Sequence, residues 1–155
     1  MFKHILLPTD GSELSEAAIR KGVQFAKSIG ARVTGFYAVP AFHVFTYQTE
    51  MLEDTKEQFV KDNKARADRY LAAIAEAAQA AGVGCDTVRV TSDHPYEAIL
   101  EAAQDKGCDL ILMASHGRKG LRGVLLGSET QKVLTHSKLP VLVWHGDEAQ
   151  LSPRR

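Results

Sequence analysis

The sequence predicts an α/β protein: one domain built on a five-stranded parallel sheet, open and doubly wound, with helices on both faces. Three observations lead there. Segments patterned as strands alternate with segments patterned as helices along the whole chain, the order that produces a parallel sheet. The runs HILL from His4 and LILM from Leu110 are apolar without alternation, as expected of strands covered on both faces. Two polar stretches containing glycine, residues 8–12 and 115–128, fall at the carboxyl ends of strands, where such sheets bind ligands.

Each element has a local cause. The first strand is His4–Leu7, ended by Pro8. A turn, Pro8-Thr9-Asp10-Gly11-Ser12, offers Thr9, Asp10 and Ser12 as possible caps for a helix from Glu13 to about Ile29, stopped by Gly30. Residues 31–39 (ARVTGFYAV) make a β-branched and aromatic second strand, weakened at Gly35 and ended by Pro40. The connection 41–49 carries Phe42, His43, Val44, Phe45 and Tyr47, and reads either as a flap over the core or as a lid beside a ligand. A helical pattern then runs from about Glu50 to Ala81, long enough that its first part should project or break. Residues 85–91 (CDTVRVT) form the third strand. Ser92 or Asp93 caps the next helix, with Pro95 in its first turn and Gly107 after it. Residues 108–114 are the fourth strand. Ser128 with Gln131 fits a capping box for a helix from about Glu129 to His136. The last strand runs from Leu139 to Trp144, with Pro140 suited to an edge.

Bulk properties restrict the partners. The 155 residues fit one domain, residues 1–146, followed by a polar tail, 147–155, expected to fray. Nineteen basic residues balance nineteen acidic ones, so nothing global draws the chain to nucleic acid or to a membrane, and any anion site must be local. The chain has no apolar run of membrane-spanning length, and its start lacks the shape of a signal peptide. Cys85 and Cys108 lack metal-type pairing and read as reduced packing thiols of a cytoplasmic protein. The histidines share no ligand spacing, so no metal held by protein side chains is expected.

The stretch from Met113 to Ser128, MASHGRKGLRGVLLGS, combines a strand end, a glycine-rich basic loop and a fresh helix start. Backbone N–H groups at a helix N-terminus, with the helix dipole behind them, form an anion cradle. Arg118, Lys119 and Arg122 either screen a phosphate chain or keep the loop solvated. His116 reads as a loop residue bonded to backbone. Two common phosphate signatures are missing: Gly127 is followed by Ser128 and Glu129, without the P-loop lysine, and the glycine spacing of the dinucleotide fingerprint does not occur. A receiver-type phosphoacceptor site needs clustered carboxylates, whereas the first strand is followed by Asp10 alone.

These residues resemble the universal stress protein family. Its nucleotide-binding members carry glycine, two residues, glycine, nine residues, then glycine and serine or threonine. Here Ala114, Gly117, Gly127 and Ser128 occupy that spacing. Alanine at position 114 departs from the pattern, adding a methyl group while keeping the N–H. The opening HILLPTDGS and the segment LLGSETQKVLTHSKLPVLVW also resemble the family, so the likeness spans about residues 2–145.

The resemblance implies a Rossmann-like, adenine-nucleotide-hydrolase-like sheet of order 3-2-1-4-5, and a site for ATP carried with Mg²⁺ through its phosphates, AMP or ADP being shorter alternatives. By resemblance, Pro8, Thr9 and Asp10 line the base and ribose end. Val39 packs on the adenine with Met113 nearby, and Ala114, His116, Gly117 and Arg118 follow the fourth strand. Gly117, Gly127 and Ser128 hold ribose and phosphates through backbone N–H groups and the Ser128 hydroxyl, with Glu129 and Thr130 next to them in the site. Helix capping is the competing role for Asp10 and Ser128, and core packing for Val39 and Met113. The implied function is a nucleotide-dependent stress-signalling module with slow or no hydrolysis. The alternative is a nucleotide-free interaction module. A homodimer through the edge from Leu139 to Trp144 is implied in both cases.

Overall fold

A computed structural model describes residues 1–42, 49–116 and 126–146. Its elements in order are β1 (His4–Thr9), α1 (Glu13–Ile29), β2 (Arg32–Val39), α2 (Thr49–Ala81), β3 (Cys85–Thr91), α3 (Pro95–Asp105), β4 (Leu110–Ala114), α4 (Ser128–His136) and β5 (Val141–Trp144). The strands form one parallel sheet of order β3-β2-β1-β4-β5, as expected. Chain direction across the sheet reverses between β1 and β4, the switch point of the fold.

Alternate side chains of the strands feed two cores. Ile5, Leu7, Val33, Tyr37, Leu110 and Leu112 pack under α1 and α2, while Leu6, Phe36, Ile111 and Met113 pack under α3 and α4. This two-sided burial explains the unbroken apolar runs of the central strands.

β1 continues past Pro8, contrary to the expectation that proline would end it. The carbonyl of Lys3 accepts from Arg32 in β2, and that of His4 from Asp109 beside β4. Backbone groups alternate along a strand, so Pro8 turns its peptide nitrogen toward β4. The β1–β4 register ends at Leu6↔Ile111, whereas the β1–β2 register continues to Thr9↔Tyr37. Proline therefore lies where no ladder donor is required, and the sheet opens between β1 and β4 beyond it.

α2 is continuous over 33 residues, about 50 Å at 1.5 Å per residue, so it projects rather than breaks. Among its described side chains, burial starts at Asn63 and recurs at Ala67, Leu71, Ile74 and Ala78, whereas Val60 is exposed. Phe42 and Phe59 pack in a tilted contact with ring centroids 5.2 Å apart. The flap-or-lid expectation for the rest of the connection falls on residues 43–48, and the frayed tail on residues 147–155; both lie outside the described residues.

A polar chain joins the strand starts at the other end of the sheet. His4 Nε2 lies 2.6 Å from Thr34 Oγ1, and the Thr34 hydroxyl donates to Asp86, which also meets Lys106 at 3.0 Å and Arg32 at 3.8 Å. Thr34 has one proton and gives it to Asp86, so its oxygen accepts from His4 Nε2–H. Burial and the Arg32 charge lower the His4 pKa below its ordinary value, against the pull of Asp86 and Asp109. Burial alone would raise Asp86, but the hydrogen bonds from Thr34 and Lys106 and the charges of Lys106 and Arg32 bring it below the usual range.

Candidate functional site

The opening between β1 and β4 is a cleft of about 770 Å³ on the side of the sheet covered by α3 and α4. Of the residues expected from the sequence, Pro8, Thr9, Asp10, Met113, Ala114, His116, Gly127, Ser128, Glu129 and Thr130 line it. The turn after β1 and the described ends of the second loop, at His116 and Gly127, therefore meet at the switch point. Gly117 and Arg118, together with Lys119 and Arg122, lie outside the described residues.

One wall is the turn after β1. Ser12 is the N-cap of α1, its hydroxyl accepting from Ser15 N at 3.2 Å. Asp10 is not the cap: its Oδ1 accepts from Ser12 N at 2.9 Å, an Asx turn that fixes the carboxylate at the cleft edge. Thr9 Oγ1 accepts from Gly11 N at 3.0 Å, and Gly11 takes φ +80°, a conformation side chains disfavour.

The opposite wall is the junction of β4 with α4. Gly127 is the N-cap of α4, and Ser128 is the first helical residue. The expected capping box is thus displaced by one position. Gln131 N donates to the Gly127 carbonyl, and the Gln131 side chain turns back to the Leu126 carbonyl at 2.9 Å. This register leaves the N–H groups of Ser128, Glu129 and Thr130 without acceptors inside the helix, and all three residues face the cleft. Gly127 is favoured by close approach. A methyl group there would lie 3.0 Å from His116 Cα and 3.2 Å from His116 Cβ, and Gly127 N donates to the Ser115 carbonyl at 2.6 Å.

Side chains at the start of α4 are engaged elsewhere, which limits their roles. Thr130 is buried and its hydroxyl donates to the Ala114 carbonyl at 2.9 Å. Glu129 reaches across to α3, accepting from Tyr96 N at 3.0 Å. That contact replaces the expected cap of α3: its N-cap is His94, without a side-chain capping bond, and Pro95 follows. Ser92 Oγ instead accepts from His94 N, and Asp93 Oδ1 from Ala41 N at 3.2 Å. Glu129 and Thr130 can thus offer a ligand their backbone N–H groups, with their side chains setting the position of the helix.

Ala114 takes no left-handed conformation, and its methyl group belongs to the core packed under α1. The position can therefore hold alanine without backbone strain. Met113 has a dual role, buried in the α3–α4 core and reaching the cleft.

Val39 does not line the cleft. It packs against the core under α1 and α2, while its neighbours Ala38 and Pro40 reach the cleft. The side-chain period of two along a strand puts Phe36 and Ala38 with the core under α3 and α4, and Tyr37 and Val39 with the core under α1 and α2; of that second pair Tyr37 reaches the cleft and Val39 does not. Phe36 and Ala38 were missed, although the same parity was available from HILL and LILM. Of the acids that line the cleft, Asp10 and Glu129 were expected from the sequence, and Asp93 was not. Among the described residues no three His, Cys, Asp or Glu side chains are grouped to hold a metal ion.

The fold and this cleft define a class: an open parallel α/β sheet whose switch point holds an anion-ready helix start opposite an acidic turn. Residues 1–145 match the model of the universal stress protein family, and the chain belongs to that family. Universal stress protein MJ0577 of Methanocaldococcus jannaschii is 30% identical over 154 residues, covering 92% of this chain and 94% of the relative. The solved structure of MJ0577 superposes with a TM-score of 0.77 at 29% identity, over 92% of this chain and 95% of that one. A family protein from Arabidopsis thaliana, solved with AMP bound, has a TM-score of 0.68 at 16% identity, over 96% and 94%. A universal stress protein solved in complex with cAMP has a TM-score of 0.65 at 24% identity, over 93% and 97%.

Proposed function

We propose that the cleft binds an adenine nucleotide and that the protein uses its occupancy as a signal in a stress response. The ligand we favour is ATP with Mg²⁺ carried on the phosphates, AMP and ADP occupying the same base and ribose end. The observation that carries this reading is the juxtaposition across the switch point: the Asp10 turn on one wall, and three helix-start N–H groups of α4 on the other. The AMP and cAMP bound by two proteins of the same fold support the adenine assignment.

Slow or absent hydrolysis fits the chemistry of the acids. Asp93 and Glu129 are engaged by the backbone N–H groups of Ala41 and Tyr96, and Asp10 by that of Ser12. Fast phosphoryl transfer needs metal ligands and a group that orients the nucleophile. Turnover of several per second by the purified protein would overturn this part.

β5 is an edge strand with Leu142 38% exposed, so we extend the proposal to a homodimer paired through this edge. The setting we propose is the cytoplasm; no helix among the described residues is long and apolar enough to cross a membrane.

Equilibrium dialysis and thermal unfolding with Mg-ATP test the reading. At a hundred times the dissociation constant, bound nucleotide stabilises by about 2.7 kcal/mol. For a domain of this size that raises Tm by about 5–10 °C. A nucleotide-free interaction module would show neither binding nor a shift.

A further inference from the structure

We propose that Tyr70, on α2, is a positioning residue for the cleft: its ring holds the Asp10–Gly11 turn in the conformation that presents Asp10. The proposal rests on the nucleotide reading above and adds to it a residue from a helix on the opposite side of the sheet.

The turn after β1 is closed from within by hydrogen bonds, among them those from Gly11 N to Thr9, Ser12 N to Asp10, Ser15 N to Ser12, and the Ser15 hydroxyl to the Ser12 carbonyl. These bonds tie the turn to α1. Its outer surface is covered by Tyr70. A methyl group on Gly11 would lie 2.2 Å from Tyr70 Cζ and 2.6 Å from the Tyr70 hydroxyl oxygen, so the ring is packed against bare backbone. The same ring stacks on Tyr37 of β2, centroids 5.5 Å apart at 56°, and Tyr37 is itself a lining residue of the cleft.

The ring is partly buried against the core under α1 and α2. The Arg69 guanidinium carbon lies 5.2 Å from its centroid. One turn further along α2, Ile74 sits where Gly35 of β2 lacks a side chain; a methyl group there would be 2.9 Å from Ile74 Cδ1. Ala67, Leu71, Ile74 and Ala78 bury this face of α2 in the core. Tyr70 is therefore a rigid strut between an anchored helix and a turn made flexible by glycine. Removing the ring frees Gly11, whose left-handed conformation is one of several open to glycine, and Asp10 loses its fixed direction.

The test measures AMP and Mg-ATP affinity by calorimetry for the wild type, Tyr70→Ala, Tyr70→Leu, Tyr70→Phe and each change combined with Asp10→Ala. Amide hydrogen exchange at Gly11 and Ser12 is followed without nucleotide. Tyr70→Ala and Tyr70→Leu should weaken both nucleotides on the order of tenfold, because a misplaced contact loses most of its value. Tyr70→Phe, which keeps the ring, should lose less than Tyr70→Leu, and the loss should vanish when Asp10 is already alanine. Exchange at Gly11 and Ser12 should speed up in Tyr70→Ala and Tyr70→Leu. A merely structural role would lower stability without this dependence on Asp10. If the wild type binds nucleotide and Tyr70→Leu binds equally well, or the loss persists with Asp10→Ala, the positioning role is overturned and the nucleotide reading stands. If the wild type binds neither nucleotide, both are overturned.

Discussion

Replacing Thr130 by valine removes one hydrogen bond from the corner that fixes α4 against β4. Thr130 is 3% exposed, and its Oγ1 donates to the Ala114 carbonyl at 2.9 Å. Valine keeps the shape and has nearly the helix propensity of threonine, so the change neither opens a cavity nor weakens the helix intrinsically. An intramolecular hydrogen bond contributes about 0.5–1.5 kcal/mol net, and a buried acceptor that loses its donor costs about 1–3 kcal/mol. The expected loss is about 1–2 kcal/mol, or a Tm lower by about 2–8 °C for a domain of this size. The assay is urea unfolding with an unchanged m-value. Thr135→Val is the internal control: its hydroxyl donates to the Gln131 carbonyl at 2.8 Å on an exposed face, so its loss should stay within about 0.5 kcal/mol. Equal effects of the two substitutions would refute the claim that Thr130 is a structural tie of the site.

Other consequences are open to measurement. The folded His4 pKa lies below its ordinary value of 6.5, so the unfolded chain binds the proton first as pH falls; stability present above 6.5 is lost on descending through it toward the folded pKa. Urea midpoints should drop between about pH 7.5 and pH 5.5, and His4→Gln should flatten the drop; a rising midpoint would contradict the assignment. Burial pushes the Cys108 thiol up to about 11, so it should resist alkylation in the native protein near pH 8 and react once unfolded. Rapid native labelling at Cys108 would contradict its packing. Leu142→Lys on the β5 edge should shift light scattering from dimer to monomer while leaving nucleotide affinity unchanged; a wild-type monomer at micromolar concentration would count against edge pairing.

The legible parts of this protein were those set by local pattern. Alternating apolar strands and capped helices led to the sheet, and the two glycine-containing loops led to both walls of the cleft. What escaped depended on tertiary context. Pro8 could remain in β1 because β4 stops pairing at that height, which no feature of the HILLPT segment announces. Ser128 and Gln131 match a capping box, yet contact of Gly127 with His116 and the Thr130 tie to Ala114 set the helix register one residue earlier. The N-terminus of α3 is served by Glu129, 33 residues away in sequence, which left Asp93 to bind Ala41 instead. Val39 took the core-packing role that the sequence offered beside adenine contact. The Tyr70 contact with Gly11 joins residues on separate elements, and either alone reads as an ordinary core aromatic or a turn glycine.

The account stands most directly on whether the switch-point cleft takes an adenine nucleotide. Calorimetric titration of the purified protein with Mg-ATP and with AMP, repeated on Asp10→Ala, addresses that in one experiment. The account predicts saturable binding of one nucleotide per chain, weakened for both ligands by the Asp10 change. Absence of heat and of any thermal shift with either ligand at about millimolar concentration, where a site of ordinary affinity would be filled, would contradict it.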